Sequence, residues 1–340
     1  MARLLGHNES AVASENSSSK WQGVGSRSCF PDGHDGAYEF SKNYFFGRSV
    51  MGDFEHDCVQ IDGLKWAYIE RGHGPVVVLL HGFPDHALTW SHQIEALSAQ
   101  GYRVVAPFLK GYPPTEVPRA HFYDKATLVH EIAKFIQVIS PAKPCHLVGQ
   151  DWGAIIGYGL LAAYPELFQR AVLMAVPHPE KVSESMLDAK HVHRSFHWWF
   201  FQLKDLPEKA IMQNNMAFID YLWDYWTVDG FRDEEHIRGV KHMLAQPGAL
   251  TATLAYYRAM LDQEKSNPEH AELRTKMTRQ IQVPTLALCG AQDLRAELML
   301  DQSKYFSAEY DFRLVDQAGH FLHREQAQVV TEHVLNWLCQ

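Results

Sequence analysis

The feature that most constrains this chain is a repeated alternation between short apolar runs and longer helical segments. Continuous apolar, β-branched runs such as PVVVLL (75–80), YRVVAP (102–107) and HLVGQ (146–150) are typical of strands that are buried on both faces. Helical segments separate them, and the pattern returns with PTLALCG (284–290) and DFRLVD (311–316). This alternation predicts an α/β fold with a mostly parallel, twisted sheet flanked by helices.

Two stretches depart from the alternation and set the predicted domain boundaries. Residues 1–45 are polar and rich in turn formers, and we predict an amino-terminal extension with disordered character there. Between 178 and 278 no strand pattern occurs, and the segment is helical and dense in aromatic residues. Residues 46–177 and 279–340 are therefore predicted to form the core. The segment 178–278 would be a helical cap inserted over the carboxyl edge of the sheet, where α/β sites form.

Composition excludes several classes of protein. The 340 residues include 31 lysines and arginines against 40 acidic residues, a formal charge of −9, which argues against nucleic-acid binding. No apolar run approaches the ~20 residues of a membrane helix, and the amino terminus lacks the apolar stretch of a secretory signal. Five scattered cysteines without a CxxC pair are typical of reduced thiols, so we expect a cytoplasmic protein.

The 20 histidines are the unusual part of the composition. They do not show the HxxxH or Cys/His spacing of a metal site, so we predict no metal ion and no other cofactor. His191 and His193 are expected on a solvated helix face. The expected partners are a small apolar substrate and water, and the sequence leaves a homodimer open.

Two segments at strand ends carry residues suited to nucleophilic chemistry. Gly-Gln-Asp-Trp-Gly (149–153) lies between a buried strand and a helix and matches a nucleophile elbow in which Asp151 stands where serine usually does. His-Gly-Phe-Pro-Asp (81–85) follows the strand PVVVLL directly. Loops in these two places supply the backbone donors of an oxyanion hole, here the amides of Phe83 and Trp152.

A base and its orienting acid are predicted on two later loops at the same edge. His320 follows the last strand in Ala-Gly-His, and Asp293 follows PTLALCG in Gly-Ala-Gln-Asp. A carboxylate at the second position could orient His320 and stabilise its imidazolium. Asp316, at a strand end, is the competing acid. His81 and Pro84 are expected beside the substrate pocket.

At these places the sequence resembles the α/β-hydrolase superfamily, specifically its aspartate-nucleophile branch of epoxide hydrolases, and it is also similar to haloalkane dehalogenases. The resemblance covers residues 54–338, with HGFPD similar to an HGxP motif, GYPPT (111–115) to a Gly-x-small-x-Ser/Thr motif and GQDWGA to the elbow. It implies that Asp151 attacks an sp³ carbon to form an ester, which water activated by His320 then hydrolyses.

The predicted cap contributes two candidate groups for ring opening. AYYRAM (255–260) resembles the epoxide-hydrolase segment that holds one ring-opening tyrosine, here Tyr257. The position of the second tyrosine, four residues before a Phe-Gln pair, is taken by His197. Trp198 and Trp199 beside it are expected to form pocket wall. His197-Trp198 also resembles the halide pocket of fluoroacetate dehalogenases, but the arginines those enzymes carry just after the nucleophile are missing here.

Three functions remain open from the sequence. The first is an epoxide hydrolase that converts an apolar or aromatic epoxide to a vicinal diol. The second is a haloalkane dehalogenase that uses Trp152 and a cap tryptophan to hold halide. The third is a receptor that keeps the pocket for ligand binding, which the intact set of Asp151, Asp293 and His320 argues against.

Overall fold

A computed structural model describes residues 55–118 and 121–340, so the predicted extension (1–45) lies outside the described residues. The chain enters the sheet through a hairpin of β1 (Asp57–Ile61) and β2 (Leu64–Arg71). Its two-residue turn places Asp62 at φ 49° and Gly63 at φ 81°. Asp-Gly is the pair that this left-handed turn favours.

The described residues form an eight-stranded sheet in the order β1-β2-β4-β3-β5-β6-β7-β8. The remaining strands are β3 (Val76–Leu80), β4 (Arg103–Pro107), β5 (Cys145–Gln150), β6 (Phe168–Met174), β7 (Thr285–Gly290) and β8 (Tyr310–Val315). The pairs β1–β2 and β2–β4 are antiparallel and every later pair is parallel. The predicted mostly parallel sheet flanked by helices is confirmed.

Helices connect the parallel strands and cover the sheet. Those of the core are α1 (Ser91–Ala99), α2 (Lys125–Ile139), α3 (Trp152–Ala163), α12 (Leu322–Glu325) and α13 (Ala327–Leu338). Between β6 and β7 the regular elements are α4 (Pro179–Ser185), α5 (Ala189–Arg194), α6 (Phe196–Phe200), α7 (Leu206–Met212), α8 (Ala217–Trp226), α9 (Glu234–Leu244), α10 (Ala249–Leu261) and α11 (Ala271–Lys276), with short 3₁₀ turns. Because β6 and β7 are hydrogen-bonded neighbours, this helical segment is an insertion between adjacent strands.

Two boundaries differ from the sequence pattern. The apolar run 170–177 predicts a strand through residue 177, but β6 ends at Met174 because Ala175 turns to φ 64°. The sequence EQAQVVTEHVLNWL (325–338) predicts a closing helix, but α13 begins only at Ala327, because Gln326 leaves helical geometry at φ −127°, ψ 53° and separates it from α12. Among the described helices, none is both long and apolar enough to cross a membrane.

Candidate active site

Asp151 occupies a sharp turn between β5 and α3. Its φ of 51° and ψ of −118° lift the side chain out of the strand direction, a strained conformation typical of a functional elbow. The turn depends on close backbone approach: a Cβ at Gly153 would lie 2.0 Å from the carbonyl oxygen of Leu80. A Cβ at Gly82 would lie 2.4 Å from Asp151 Oδ1. Glycine at these positions lets the 81–85 loop meet the carboxylate directly.

Backbone donors hold one oxygen of Asp151 in place. The Phe83 N–H donates to Oδ1 at 2.8 Å. The peptide bond that follows, between Phe83 and Pro84, is cis. Burial raises the pKa of Asp151, but the neighbouring His320, 3.5 Å away, and hydrogen bonds from the amides of Phe83 and Trp152 outweigh it and leave the pKa below its ordinary value. The carboxylate is therefore ionised at neutral pH and needs no base to act as a nucleophile.

His320 lies between two carboxylates. Its Nδ1 is 2.8 Å from Asp293 Oδ2, and its Nε2 is 3.5 Å from Asp151 Oδ2. Asp316, the competing acid, is exposed, so the structure brings Asp293 to the histidine instead. Burial lowers the pKa of His320, but the charges of Asp293 and Asp151 prevail and raise it to about 9.

The raised pKa of His320 predicts how folding stability depends on pH. The protonated ring is favoured in the folded state, so its contribution is fully present below pH 6.5 and is lost as the pH rises through about 9. The difference in unfolding free energy between the wild type and His320→Gln should shrink across that window. Urea titrations at several pH values measure it, and a difference that stays constant through the window would contradict the assignment.

The loop that carries His320 is held by Glu325, a residue that the sequence pattern did not single out. Its carboxylate accepts the N–H groups of Gly319 and Phe321 on either side of His320, both at 2.9 Å. It also accepts the N–H of Val228 from the inserted helices, at 2.8 Å. An acid five residues after the histidine was the available signal, but only the tertiary structure shows three donors converging on it.

Removing Glu325 is expected to cost stability and to displace His320. Glu325→Ala leaves three backbone donors without their acceptor, a loss of about 1–3 kcal/mol in unfolding free energy, with lower turnover because His320 is no longer fixed. Denaturant unfolding and initial rates measure both effects. Glu332→Ala, at an exposed position on α13, is the matched control. Equal stability of the two variants would show that Glu325 does not hold the loop.

Tyr257 and His197 meet above the oxyanion-hole residues. The Tyr257 ring lies 5.5 Å from Phe83, 5.2 Å from Trp152 and 5.6 Å from His197, centroid to centroid. Burial and the charge of Asp151 raise the pKa of Tyr257 well above its ordinary value, so its O–H stays available for donation. Burial and the nearby Arg295 hold the pKa of His197 well below the usual range, so this ring is neutral.

The other predicted pocket residues have varied surroundings. His81 is fully buried: its Nε2 accepts the Leu109 N–H at 3.0 Å, and its Nδ1 lies 3.0 Å from Gly82 O. The carbonyl of Pro84 accepts Trp223 Nε1–H at 3.2 Å. Trp198 is buried beside His197, whereas Trp199 is half-buried. The expectation of a solvated face at His191 is wrong, because that ring is 3% exposed and packs against Trp198.

One group of side chains could hold a cation. The ligand atoms of Asp85, His86 and His236 lie within 4.8 Å of one another, and all three residues are buried. His236 Nε2 is 2.6 Å from Asp85 Oδ1, which joins α9 to the loop that carries Phe83. Sequence spacing did not reveal this group because His236 lies 151 positions after Asp85.

Comparison with known proteins agrees with this geometry. Residues 75–327 match the family described as alpha/beta hydrolase fold. Epoxide hydrolase 4 of Mus musculus is 29% identical over 286 residues, covering 80% of this chain and 76% of that protein. The AB hydrolase superfamily protein YfhM of Bacillus subtilis is 28% identical over 271 residues, covering 79% and 91%. The crystal structure of epoxide hydrolase VrEH1 from Vigna radiata superposes with a TM-score of 0.70 at 26% identity, covering 84% and 97%.

The family match spans most of the chain and includes the strand ends that carry Phe83, Asp151, Asp293 and His320. The eight-stranded sheet with its two antiparallel pairs at one edge is the matching architecture. The chain therefore belongs to the α/β-hydrolase fold family, within which it is similar to epoxide hydrolases.

Proposed function

We propose that this protein is an epoxide hydrolase that opens an apolar or aromatic epoxide to a vicinal diol through an ester on Asp151. The observation that carries the proposal is the placement of an ionised carboxylate between His320, at 3.5 Å, and the oxyanion-hole amide of Phe83, at 2.8 Å. The Tyr257 ring lies 5.5 Å from the Phe83 ring. Relatives named epoxide hydrolases at 25–29% identity support the choice of substrate.

The first step forms the ester. Asp151 Oδ2, the oxygen not held by Phe83, attacks an epoxide carbon, and the C–O bond of the ring breaks. The Tyr257 hydroxyl gives its proton to the leaving alkoxide oxygen, and the N–H of neutral His197, whose ring lies 5.6 Å from that of Tyr257, donates a hydrogen bond to it. The surrounding aromatic side chains keep water away and strengthen both interactions.

The second step hydrolyses the ester. Alkylation removes the negative charge of Asp151, one of the causes that raise the pKa of His320, so the ring then loses its proton more readily. His320 takes a proton from water, which attacks the Asp151 carbonyl carbon. The amides of Phe83 and Trp152 stabilise the charge that develops on Oδ1. Collapse releases the diol, whose oxygen takes the proton from His320. The Asp151 carboxyl then loses the second proton of the water and the Tyr257 phenolate regains one, which restores the starting state of both side chains.

Isotope labelling tests this covalent route. In water labelled with heavy oxygen and with protein in excess over a styrene-oxide-type epoxide, the diol of the first turnover should be unlabelled, because its new oxygen comes from Asp151. Diol from many turnovers should carry the label. A label in the first-turnover diol would indicate direct attack by water and would overturn the ester mechanism.

A dehalogenase is the second candidate, and a specific observation favours it. The indole N–H groups of Trp152 and Trp226 are buried and have no hydrogen-bond partner among the described residues. The Trp152 ring lies 5.2 Å from Tyr257 and the Trp226 ring 5.3 Å from His320, and indole N–H donors beside the reaction centre suit a departing halide. Halide release from short bromoalkanes, measured beside diol formation, decides between the two reactions. If neither product forms with any of a broad panel of epoxides and alkyl halides, the receptor hypothesis is the one that remains.

Tyr257→Phe should slow alkylation of Asp151 by epoxides about 10²-fold or more, since loss of a proton donor typically costs that much. Stopped-flow tryptophan fluorescence or rapid-quench mass analysis gives the rate. Tyr256→Phe is the matched control: it also removes a buried hydroxyl, but one that donates to Lys110 O at 2.7 Å, away from Asp151. Equal rates in the two variants would mean that another group opens the ring.

A further inference from the structure

Two lysine or arginine side chains are buried in the described part of the chain, Lys110 and Arg295, and of these two only Lys110 has an ion-pair partner. Lys110 Nζ lies 2.6 Å from Glu131 Oε1. Arg295 is 3% exposed, yet its guanidinium makes a single hydrogen bond, to Ser195 Oγ at 3.2 Å, and no ion pair with a described carboxylate. Its Nε has no partner at all among those residues.

The nearest acidic residues along the chain are already engaged. Asp293 receives His320 through Oδ2 and the backbone N–H of Arg295 through Oδ1. Glu297 is exposed and pairs with Lys190 at 2.7 Å and Arg194 at 3.4 Å, both on α5. A buried charge without a counter-ion costs several kcal/mol, so arginine in such a place normally meets an anion.

Further buried nitrogens without hydrogen-bond partners surround the indole of Trp198. Trp198 lies 5.5 Å below the Arg295 guanidinium carbon and 5.3 Å from the His191 ring. Both ring nitrogens of His191, and Nδ1 of His197, are buried and have no partner in the described part of the chain. With Ser195 they form what we call the Arg295 cluster: His191, Ser195, His197 and Arg295. Arg295, Ser195 and one ring N–H of His191 supply its hydrogen-bond donors, and it holds no acidic group.

The Arg295 cluster adjoins the proposed reaction centre. Arg295 lies two residues after Asp293, the acid that orients His320. His197 links the cluster to Tyr257, at 5.6 Å between ring centroids, and to Trp226, at 4.9 Å. One member of the cluster therefore contacts the proposed ring-opening tyrosine directly.

We propose that Arg295, with Ser195 and His191, binds a carboxylate on the substrate, and that the preferred substrates are compact epoxy acids. The planar guanidinium matches a carboxylate in two-point geometry, and an anion would satisfy the unpartnered donors. The substrate class rests on the proposed epoxide hydrolysis, whereas carboxylate binding at Arg295 does not.

Matched acid and amide substrates test the proposal. Epoxy acids with spacers of increasing length, starting from carboxy-substituted styrene oxide, are compared with their primary amides, which keep the shape and lose the charge. We expect kcat/KM for the compact acid to exceed that of its amide about 10- to 100-fold, the usual size of a charge-assisted pair, mainly through KM. The advantage should fall with long spacers. In Arg295→Gln the advantage of the acid over its amide should disappear while the amide is still hydrolysed. The control variant Arg103→Gln, which removes an arginine paired with Glu70, should keep that advantage.

The possible outcomes separate the two proposals. Hydrolysis of amides and acids at equal kcat/KM by the wild type overturns carboxylate recognition and leaves epoxide hydrolysis standing. If no epoxide reacts, 4-phenylbutanoate serves as a direct probe: stabilisation of the wild type and Arg295→Lys against heat, but not of Arg295→Gln, supports the site. Equal response of all three overturns it. Should Arg295→Gln not fold, the comparison of acid with amide in the wild type and in Arg295→Lys decides.

Discussion

Replacement of His320 by glutamine is expected to stop the reaction at the ester and to lower steady-state turnover by about 10⁴-fold or more. Alkylation does not need the histidine, because Asp151 is already ionised and its Oδ1 is held by Phe83. Hydrolysis does need it, since His320 Nε2 is the base that lies 3.5 Å from Asp151 Oδ2. The trapped species should therefore accumulate to one equivalent per chain.

Intact mass identifies both the trapped ester and its leaving group. An epoxide adds its whole mass, whereas an alkyl halide adds only its alkyl part and releases halide, and peptide mapping should place either adduct on Asp151. His323→Gln is the control: it removes another buried histidine, whose Nε2 is 2.7 Å from Thr89 Oγ1, without touching Asp151. Full turnover in His320→Gln would exclude this histidine as the base.

Asp151→Asn is expected to abolish alkylation and to lower turnover by about 10⁴-fold or more, because a neutral amide is a poor nucleophile. The amide keeps the size of the side chain and an oxygen for the Phe83 N–H, so the fold should be retained. The pKa of His320 should fall as well, since one of the two carboxylates that raise it is gone. Imidazole NMR titration measures that shift independently of any substrate.

The double variant Asp151→Asn with His320→Gln makes the test of the nucleophile strict. Mass analysis should find no adduct in it under conditions that fully alkylate the single variant His320→Gln. Asp316→Asn, at an exposed strand end, provides the control for loss of an acid near the site. An adduct in the double variant would show that another side chain is the nucleophile.

Elements with strong local patterns were accessible from the sequence. The run VVVLL of β3 is buried throughout, and helices separate the parallel strands as the alternation predicts. The end of β6 and the break before the last helix could not be predicted from the sequence. Those boundaries depend on the left-handed turn at Ala175 and on the backbone N–H groups that Glu325 accepts. Two of these come from its own loop and one from Val228, 97 positions earlier.

The candidate site divides in the same way. By itself the sequence determined the elbow at Asp151 and the loops of Phe83 and His320, because each follows a buried strand, and carboxyl ends of parallel strands meet at one edge. Only the tertiary structure decided that Asp293 rather than Asp316 reaches His320, and that Arg295 is buried beside Ser195, 100 positions earlier. Burial and partnership of a charged side chain depend on contacts between distant segments, which local periodicity does not encode.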